Sequence, residues 1–157
     1  MTQLSHPIIK VSELFQVGIV VPNLENSIRD YESILGIGSW KIMDAKPPFI
    51  SDTTYHGRPV KHSFRAAITM VGPMQLELLQ PVEGECIYRD FLKEHGPGIH
   101  HLGHVKVDNL DETVQILEKD GFRCLQSGRH GGWGWAYIDM VKSLGYVIEL
   151  TSGSVKS

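Results

Sequence analysis

The chain lacks long apolar runs. Among its 157 residues, no stretch approaches the roughly 18 to 20 consecutive apolar residues that a membrane-spanning helix needs. The polar opening residues 1–7 also lack the basic-then-apolar order of a secretory signal. These absences predict a cytoplasmic protein with no membrane partner.

Cysteine is scarce, and neither sign of charge is concentrated. Cys86 and Cys124 are far apart and belong to no paired-cysteine motif, which argues against a disulfide framework and a thiolate zinc site. The formal net charge is -3 at pH 7, and the basic residues are scattered along the chain. Nucleic-acid binding is therefore disfavoured. Phosphate-loop and nucleophile-elbow patterns are absent as well.

The chain has enough apolar residues for one core and too few residues for two ordinary domains. Of its 157 residues, 41% are hydrophobic. We therefore expect a single domain over residues 1–157.

A weak internal repeat organises that domain. Residues 15–24 and 100–110 are both short runs rich in β-branched residues, followed by a helix-start signal. Asn23 and Asn109 are the expected N-caps, because a short side chain can accept a hydrogen bond from a free amide of the first helical turn. The sequence predicts strand followed by helix, twice.

Apolar residues at helical spacing follow each cap, and a glycine follows each helix. The predicted apolar positions are Leu24, Ile28, Tyr31, Ile34 and Leu35, before Gly36, and Leu110, Val114 and Leu117, before Gly121. Strand-like segments follow at 38–44, 63–70 and 74–79, and again at 122–126, 134–140 and 145–150. Residues 45–61 form a long connection that we expect to be a mobile loop over a pocket. The pattern predicts two βαβββ modules, at about 13–81 and 99–152, joined by a linking helix at about 85–95.

Four polar residues occupy matching places in these modules. Gln16 and His101 lie in the opening strands, while Glu77 and Glu149 lie between aliphatic residues in the closing strands. Neighbouring strand residues point to opposite faces, so we expect both carboxylates to face the concave side when their neighbours face the helices. Two such carboxylates repel each other unless a cation lies between them.

A divalent metal ion meets that requirement. Three oxygen ligands and one imidazole suit Zn, Co, Ni, Mn or Fe(II), with positions left for water or substrate. Each residue also has an ordinary structural interpretation. Gln16 can be a satisfied strand residue, the glutamates can face solvent, and His101 can be a capping or core histidine.

The second module is one residue longer between its predicted ligand and its helix. Gln16 precedes Leu24 by eight positions (24 minus 16), whereas His101 precedes Leu110 by nine (110 minus 101). A β-bulge between Leu102 and Val107 would absorb the extra residue. His104 is the alternative ligand if the bulge lies elsewhere, and we expect His100 on the opposite face.

Several runs resemble a known superfamily. They are residues 17–25, 76–81, 98–103, 107–110 and 147–150. They look like the methylmalonyl-CoA epimerase and lactoylglutathione lyase branch of the vicinal-oxygen-chelate (glyoxalase, bleomycin-resistance, dioxygenase) superfamily, over roughly residues 13–152.

The resemblance implies a particular architecture and site. It implies an α+β fold in which two βαβββ modules form a cupped, eight-stranded mixed sheet with helices on the outside, completed as a homodimer. It also implies one divalent metal ion bound by Gln16, Glu77, His101 and Glu149. Two family features differ, since residues 139–144 lack a His-Pro-Lys-like turn and residues 64–70 contain no acid.

The function implied is metal-dependent proton abstraction next to a carbonyl, as in methylmalonyl-CoA epimerase. Glu149 is the expected catalytic base and Glu77 its partner, acting on a small acyl-CoA thioester or thiol adduct. A lactoylglutathione lyase is the first alternative, and an antibiotic-sequestering binding protein is the second. The aromatic run at 131–137 suits either a ligand pocket or a packed core. A dioxygenase is disfavoured, because it usually requires a set of two histidines and one carboxylate, and Gln16 argues against such a set.

Overall fold

The two halves of the chain fold into the same succession of elements. The structure, a computed structural model, describes residues 6–153. The first half contains β1 (Gln16–Val20), α1 (Leu24–Leu35), β2 (Lys41–Ala45), β3 (Ser51–Tyr55), β4 (Arg58–Pro59), β5 (Ser63–Val71) and β6 (Met74–Glu83). After the linking helix α2 (Ile87–His95), the second half contains β7 (Gly98–Lys106), α3 (Leu110–Lys119), β8 (Cys124–His130), β9 (Trp133–Asp139), α4 (Val141–Leu144) and β10 (Val147–Ser152).

All ten strands belong to one mixed sheet in the order β2-β5-β6-β1-β7-β10-β9-β8-β3-β4. The orders β1-β6-β5-β2 and β7-β10-β9-β8 match, and in both halves the first strand pairs in parallel with the last. Antiparallel pairing of β1 with β7 joins the two halves. The predicted α+β fold with two βαβββ modules is confirmed.

The connection at 45–61 contains regular structure that the sequence prediction missed. β3 and β4 form a hairpin, and β3 pairs antiparallel with β8 of the second half. This hairpin raises the strand count from the predicted eight to ten. Its composition is typical of a loop, and its strands are stabilised by pairing with a distant edge strand, which local sequence does not reveal.

The predicted caps begin both module helices. The Asn23 side chain accepts a hydrogen bond from the Asn26 amide at 2.8 Å, and Asn109 accepts one from the Glu112 amide at 3.1 Å. Gly36 ends α1 in the left-handed conformation, with φ of 67°. The helices therefore begin and end close to the predicted residues.

The predicted apolar stripe of α1 is wrong at its end. Leu24 is fully buried, but Ile34 and Leu35 are 75% and 63% exposed. At 100° per residue, Ile34 is rotated about 80° away from Leu24 around the helix axis. Leu35 is the last residue of the helix and lies beyond the packed surface.

Two core clusters lie under helices on the outer face of the sheet. Leu24 of α1 packs with Ala67 and Leu78, while Leu110 of α3 packs with Ile148 and Leu150. Because Leu78, Ile148 and Leu150 face the helices, the alternation of each strand turns Glu77 and Glu149 to the concave face. The predicted orientation of both carboxylates is confirmed.

A third cluster fills the base of the concave side. It joins Phe64 and Leu79 of the first half to Trp135 and Tyr137 of the second, and Tyr88 of α2 inserts between them. α1 and α3 lie on the outside as predicted, whereas α2 belongs to this inner cluster.

None of the helices within residues 6–153 has the length and apolar character required to cross a membrane. Of the polar opening segment 1–7, residues 1–5 lie outside the described residues.

Candidate metal centre

A β-bulge in β7 turns two histidines to the same face. Leu102 pairs with Ile148 and Val105 pairs with Leu150, so that Gly103 and His104 together oppose Glu149. This is the bulge that the sequence predicts between Leu102 and Val107. Residues three apart on a regular strand face opposite sides, and the extra residue restores His101 and His104 to one face.

Four adjacent strands each contribute one polar side chain to the concave face. Glu77 comes from β6, Gln16 from β1, His101 from β7 and Glu149 from β10. All four residues are buried, with exposed fractions of 9% or less. The structure therefore brings together the complete set of predicted ligand residues.

Three oxygen atoms converge on one imidazole nitrogen. Nε2 of His101 lies 3.0 Å from Glu149 Oε2, 3.1 Å from Gln16 Oε1 and 3.5 Å from Glu77 Oε2. One N–H group donates well to only one of three such acceptors. Glu149 Oε2 is buried and has no hydrogen-bond partner of acceptable geometry among the described residues.

These separations fit a shared divalent ion. Two donor atoms that each lie about 2.1 Å from one ion are about 3.0 to 3.4 Å apart in octahedral or tetrahedral geometry. Ligand atoms of Glu77, His101 and Glu149 all lie within 4.8 Å of one another. His104 is not a member of that group, so the geometry favours His101 over His104 as the imidazole ligand.

The Gln16 amide is oriented by contacts on its nitrogen side. Its Nε2 donates to Gln75 Oε1 at 2.8 Å and lies 2.8 Å from His104 Nε2. Oε1 consequently faces His101. Sequence reasoning missed Gln75, although its position two residues before Glu77 places both side chains on one face of β6.

His101 is held by a glycine and by its neighbouring histidine. A Cβ atom on Gly18 would lie 2.0 Å from Cε1 of His101, so the ring occupies space that only glycine leaves free. Nδ1 of His101 lies 3.1 Å from Nδ1 of His100. His100 was predicted on the opposite face, but the pairing of β7 with β1 shifts register there and turns it into the inner cluster beside Tyr88 and Tyr137.

Burial and charge determine the protonation of this centre. Burial alone would lower the pKa of His101, but contacts with Glu149 and Glu77 outweigh it and raise the pKa to about 9. Burial and the charge of His101 lower the pKa of His100 to about 3. The neutral His100 ring therefore accepts a hydrogen bond from Nδ1–H of His101, and Nε2 is aimed at the oxygens.

Opposing effects also act on Glu149. Its burial raises its pKa, but contacts with His101 and His104 overcome this effect and keep the pKa below the ordinary value. His104 Nδ1 lies 3.3 Å from Glu149 Oε1. In the absence of an ion, a proton on His101 balances the buried carboxylate charge.

The centre opens into a cavity of about 630 Å³. Gln16, Glu77, His104 and Glu149 line one part of it. Much of the rest is apolar or aromatic, including Phe49, Ile50, Phe64, Trp133, Trp135 and Tyr137. The aromatic run at 131–137 thus fits both predicted roles, a packed core and a ligand pocket. Trp135 belongs to the inner core and also faces the cavity.

The chain shares its family and fold with known proteins. Residues 15–138 match the family described as the Glyoxalase/Bleomycin resistance protein/Dioxygenase superfamily. A mitochondrial methylmalonyl-CoA epimerase of Mus musculus is 27% identical over 134 residues, covering 82% of this chain and 67% of the relative. The human epimerase is 28% identical over 134 residues, covering 82% of this chain and 68% of the relative.

Solved structures support the same fold. The methylmalonyl-CoA epimerase of Mycobacterium tuberculosis superposes with a TM-score of 0.59 at 23% identity, covering 98% of this chain and 95% of that chain. A methylmalonyl-CoA epimerase in complex with methylmalonyl-CoA and NH4+ superposes with a TM-score of 0.59 at 17% identity, covering 93% and 97% of the two chains. At these identities the structural likeness establishes the fold.

Replacing the two bulge histidines separately will identify the imidazole ligand. We expect wild-type protein to bind one divalent ion per chain, and His101→Ala to bind none at the same free-metal concentration. His104→Ala keeps its ion with affinity reduced by about 10- to 100-fold, because it only orients the ligands. Titration with Zn²⁺ or Co²⁺ and elemental analysis measure both values. Metal loss in His104→Ala with retention in His101→Ala would contradict the assignment.

Ion binding should release about one proton at neutral pH. His101 is protonated below its pKa of about 9 in the metal-free protein, and coordination requires the neutral ring. The apparent affinity for the ion should therefore rise about tenfold per pH unit from pH 7 to about pH 9 and then level off. Calorimetry in two buffers that differ in ionisation enthalpy measures the number of protons released per ion bound. Binding without proton release at pH 7 would show that His101 is already neutral.

Proposed function

Because the chain belongs to the glyoxalase/bleomycin resistance protein/dioxygenase superfamily, we propose that it is a metal-dependent isomerase of the methylmalonyl-CoA epimerase type. Its reaction removes a proton from the carbon next to the carbonyl group of an acyl-CoA thioester. The observation that carries this proposal is the convergence of three buried oxygens on His101 Nε2 beside a large cavity. Epimerases among the relatives support the reaction class.

Four side chains would hold the ion in this proposal. They are Gln16, Glu77, His101 and Glu149, and their donor set suits Zn, Co, Ni, Mn or Fe(II). A bound ion of this kind supplies stabilisation for the negative charge that develops on a carbonyl oxygen as a neighbouring proton leaves.

Glu149 is the proposed base. Its carboxylate lines the cavity, and its buried Oε2 lacks a hydrogen-bond partner among the described residues. A carboxylate at the edge of the ion can detach, or stay loosely bound, and accept the substrate proton.

Glu77 is the proposed partner that returns the proton. It lies on β6 of the first half, whereas Glu149 lies on β10 of the second half. Both line the cavity, and both place an oxygen within 3.5 Å of His101 Nε2. Inversion at carbon requires one group to take the proton and another to deliver it from the opposite side, and two carboxylates from different halves provide such a pair.

Hydrogen exchange at C2 tests the reaction. Metal-loaded protein in deuterated water should introduce deuterium at C2 of chiral 2-substituted acyl-CoA thioesters, with methylmalonyl-CoA as the reference compound. Glu149→Gln should reduce exchange per bound ion by at least a hundredfold, since general base catalysis typically contributes about 10²- to 10⁴-fold. Mass spectrometry follows the label.

Glu118→Gln is the matched control for that experiment. Glu118 is an exposed glutamate on α3, so its replacement makes the same chemical change away from the cavity. Exchange in this variant should equal that of the wild type. Unchanged exchange in metal-loaded Glu149→Gln would remove Glu149 from the role of base.

A lactoylglutathione lyase is the second candidate. The Gln, Glu, His, Glu donor set favours it, because that combination resembles some members of the lyase branch. Conversion of the glutathione–methylglyoxal adduct, without exchange in any acyl-CoA thioester, would decide for the lyase. A binding protein would take up apolar ligands in the same cavity without metal-dependent turnover.

We also propose that the chain forms a homodimer, as the family resemblance implies. The described residues leave large apolar side chains exposed, including Ile99 on β7 at 66% exposure. Light scattering coupled to size exclusion should give twice the mass of one chain. A concentration-independent single-chain mass would contradict the dimer.

A further inference from the structure

We propose that the substrate carries an apolar, ring-sized group on the carbon that loses its proton. This inference rests on the proposed function and specifies the substrate class of the same site. It follows from the aromatic wall beside the centre and from the volume of the cavity.

The aromatic wall begins next to the proposed base. The Trp133 ring lies 5.8 Å from the His104 ring, and His104 contacts Glu149 at 3.3 Å. Trp133 and Trp135 stack at 5.6 Å with an interplanar angle of 30°, and both rings line the cavity. A substituent on the reacting carbon therefore lies within reach of these rings when its proton faces Glu149.

A second aromatic group lies on another part of the cavity lining. Phe49 stacks on His130 at 3.8 Å and 26°, yet 42% of Phe49 remains exposed. His130 Nδ1 lies 2.7 Å from the Phe49 carbonyl oxygen, which anchors the pair. An apolar ring so held at an open cavity favours burial against an apolar ligand.

The volume accommodates a ring together with part of a thioester. A cavity of about 150 Å³ is sufficient to bind benzene in an apolar protein interior. This cavity measures about 630 Å³. A methyl or carboxylate group alone would leave most of the aromatic wall in contact with water.

A panel of three thioesters tests the inference. Resolved 2-phenylpropionyl-CoA, 2-cyclohexylpropionyl-CoA and methylmalonyl-CoA are compared for C2 deuteration by metal-loaded wild-type protein. Each kcat/KM is divided by the uncatalysed exchange rate in the same buffer, which removes differences in intrinsic acidity. We expect both ring-bearing compounds to exceed methylmalonyl-CoA by at least tenfold. The cyclohexyl compound separates an apolar requirement from benzylic acidity.

Binding provides a readout that does not depend on turnover. Metal-free protein should bind 2-phenylpropionyl-CoA at least tenfold more tightly than methylmalonyl-CoA by calorimetry. Trp133→Ala should weaken the binding of 2-phenylpropionyl-CoA by at least tenfold and change the affinity for methylmalonyl-CoA by less than threefold. Leu144→Ala is the control, because Leu144 is an exposed apolar residue of α4 that does not line the cavity.

The outcomes separate the two proposals. Faster normalised exchange with methylmalonyl-CoA than with either ring-bearing compound overturns the substrate class and leaves the isomerase intact. Exchange in none of the three, in metal-loaded protein, overturns the isomerase and this inference together. If Trp133→Ala does not fold, the wild-type comparison still decides the substrate class.

Discussion

Two carboxylates buried beside one imidazole impose the main electrostatic constraint on this protein. Glu77 and Glu149 both direct an oxygen toward Nε2 of His101 in a part of the fold that water hardly reaches. Buried charges without compensation cost several kcal/mol, so this cluster requires a proton or a metal ion. The neutral His100 on one side and the anchored Gln16 amide on the other keep the donor atoms aimed at that position.

The curvature of the sheet makes this convergence possible. The four side chains come from the consecutive strands β6, β1, β7 and β10, whose outer members would be about 14 Å apart in a flat sheet. Ligand atoms of Glu77 and Glu149 nevertheless lie within 4.8 Å of each other. A cupped sheet directs inward side chains toward a common point, so the repeat that builds the sheet also builds the centre.

The same concave face combines a polar centre with an apolar cavity. Packing of Tyr88 and Tyr137 closes the base of the cup, while Trp133 and Phe49 remain beside open space. Exclusion of water strengthens the electrostatic interactions of the glutamates and favours an apolar substituent on the substrate. The proposed reaction type and the proposed substrate class thus depend on the same surface of the sheet.

Local patterns in the sequence determined the two modules, the caps at Asn23 and Asn109, and the inward direction of Glu77 and Glu149, because helical and strand periodicity are properties of neighbouring residues. The tertiary structure decided between His101 and its alternative His104, and it alone showed that His100 contacts His101 and that residues 51–59 form a hairpin. The volume and the lining of the cavity likewise depend on how the two halves pack. These features depend on register between strands that are distant in sequence, and a shift of one residue reverses the face of every side chain.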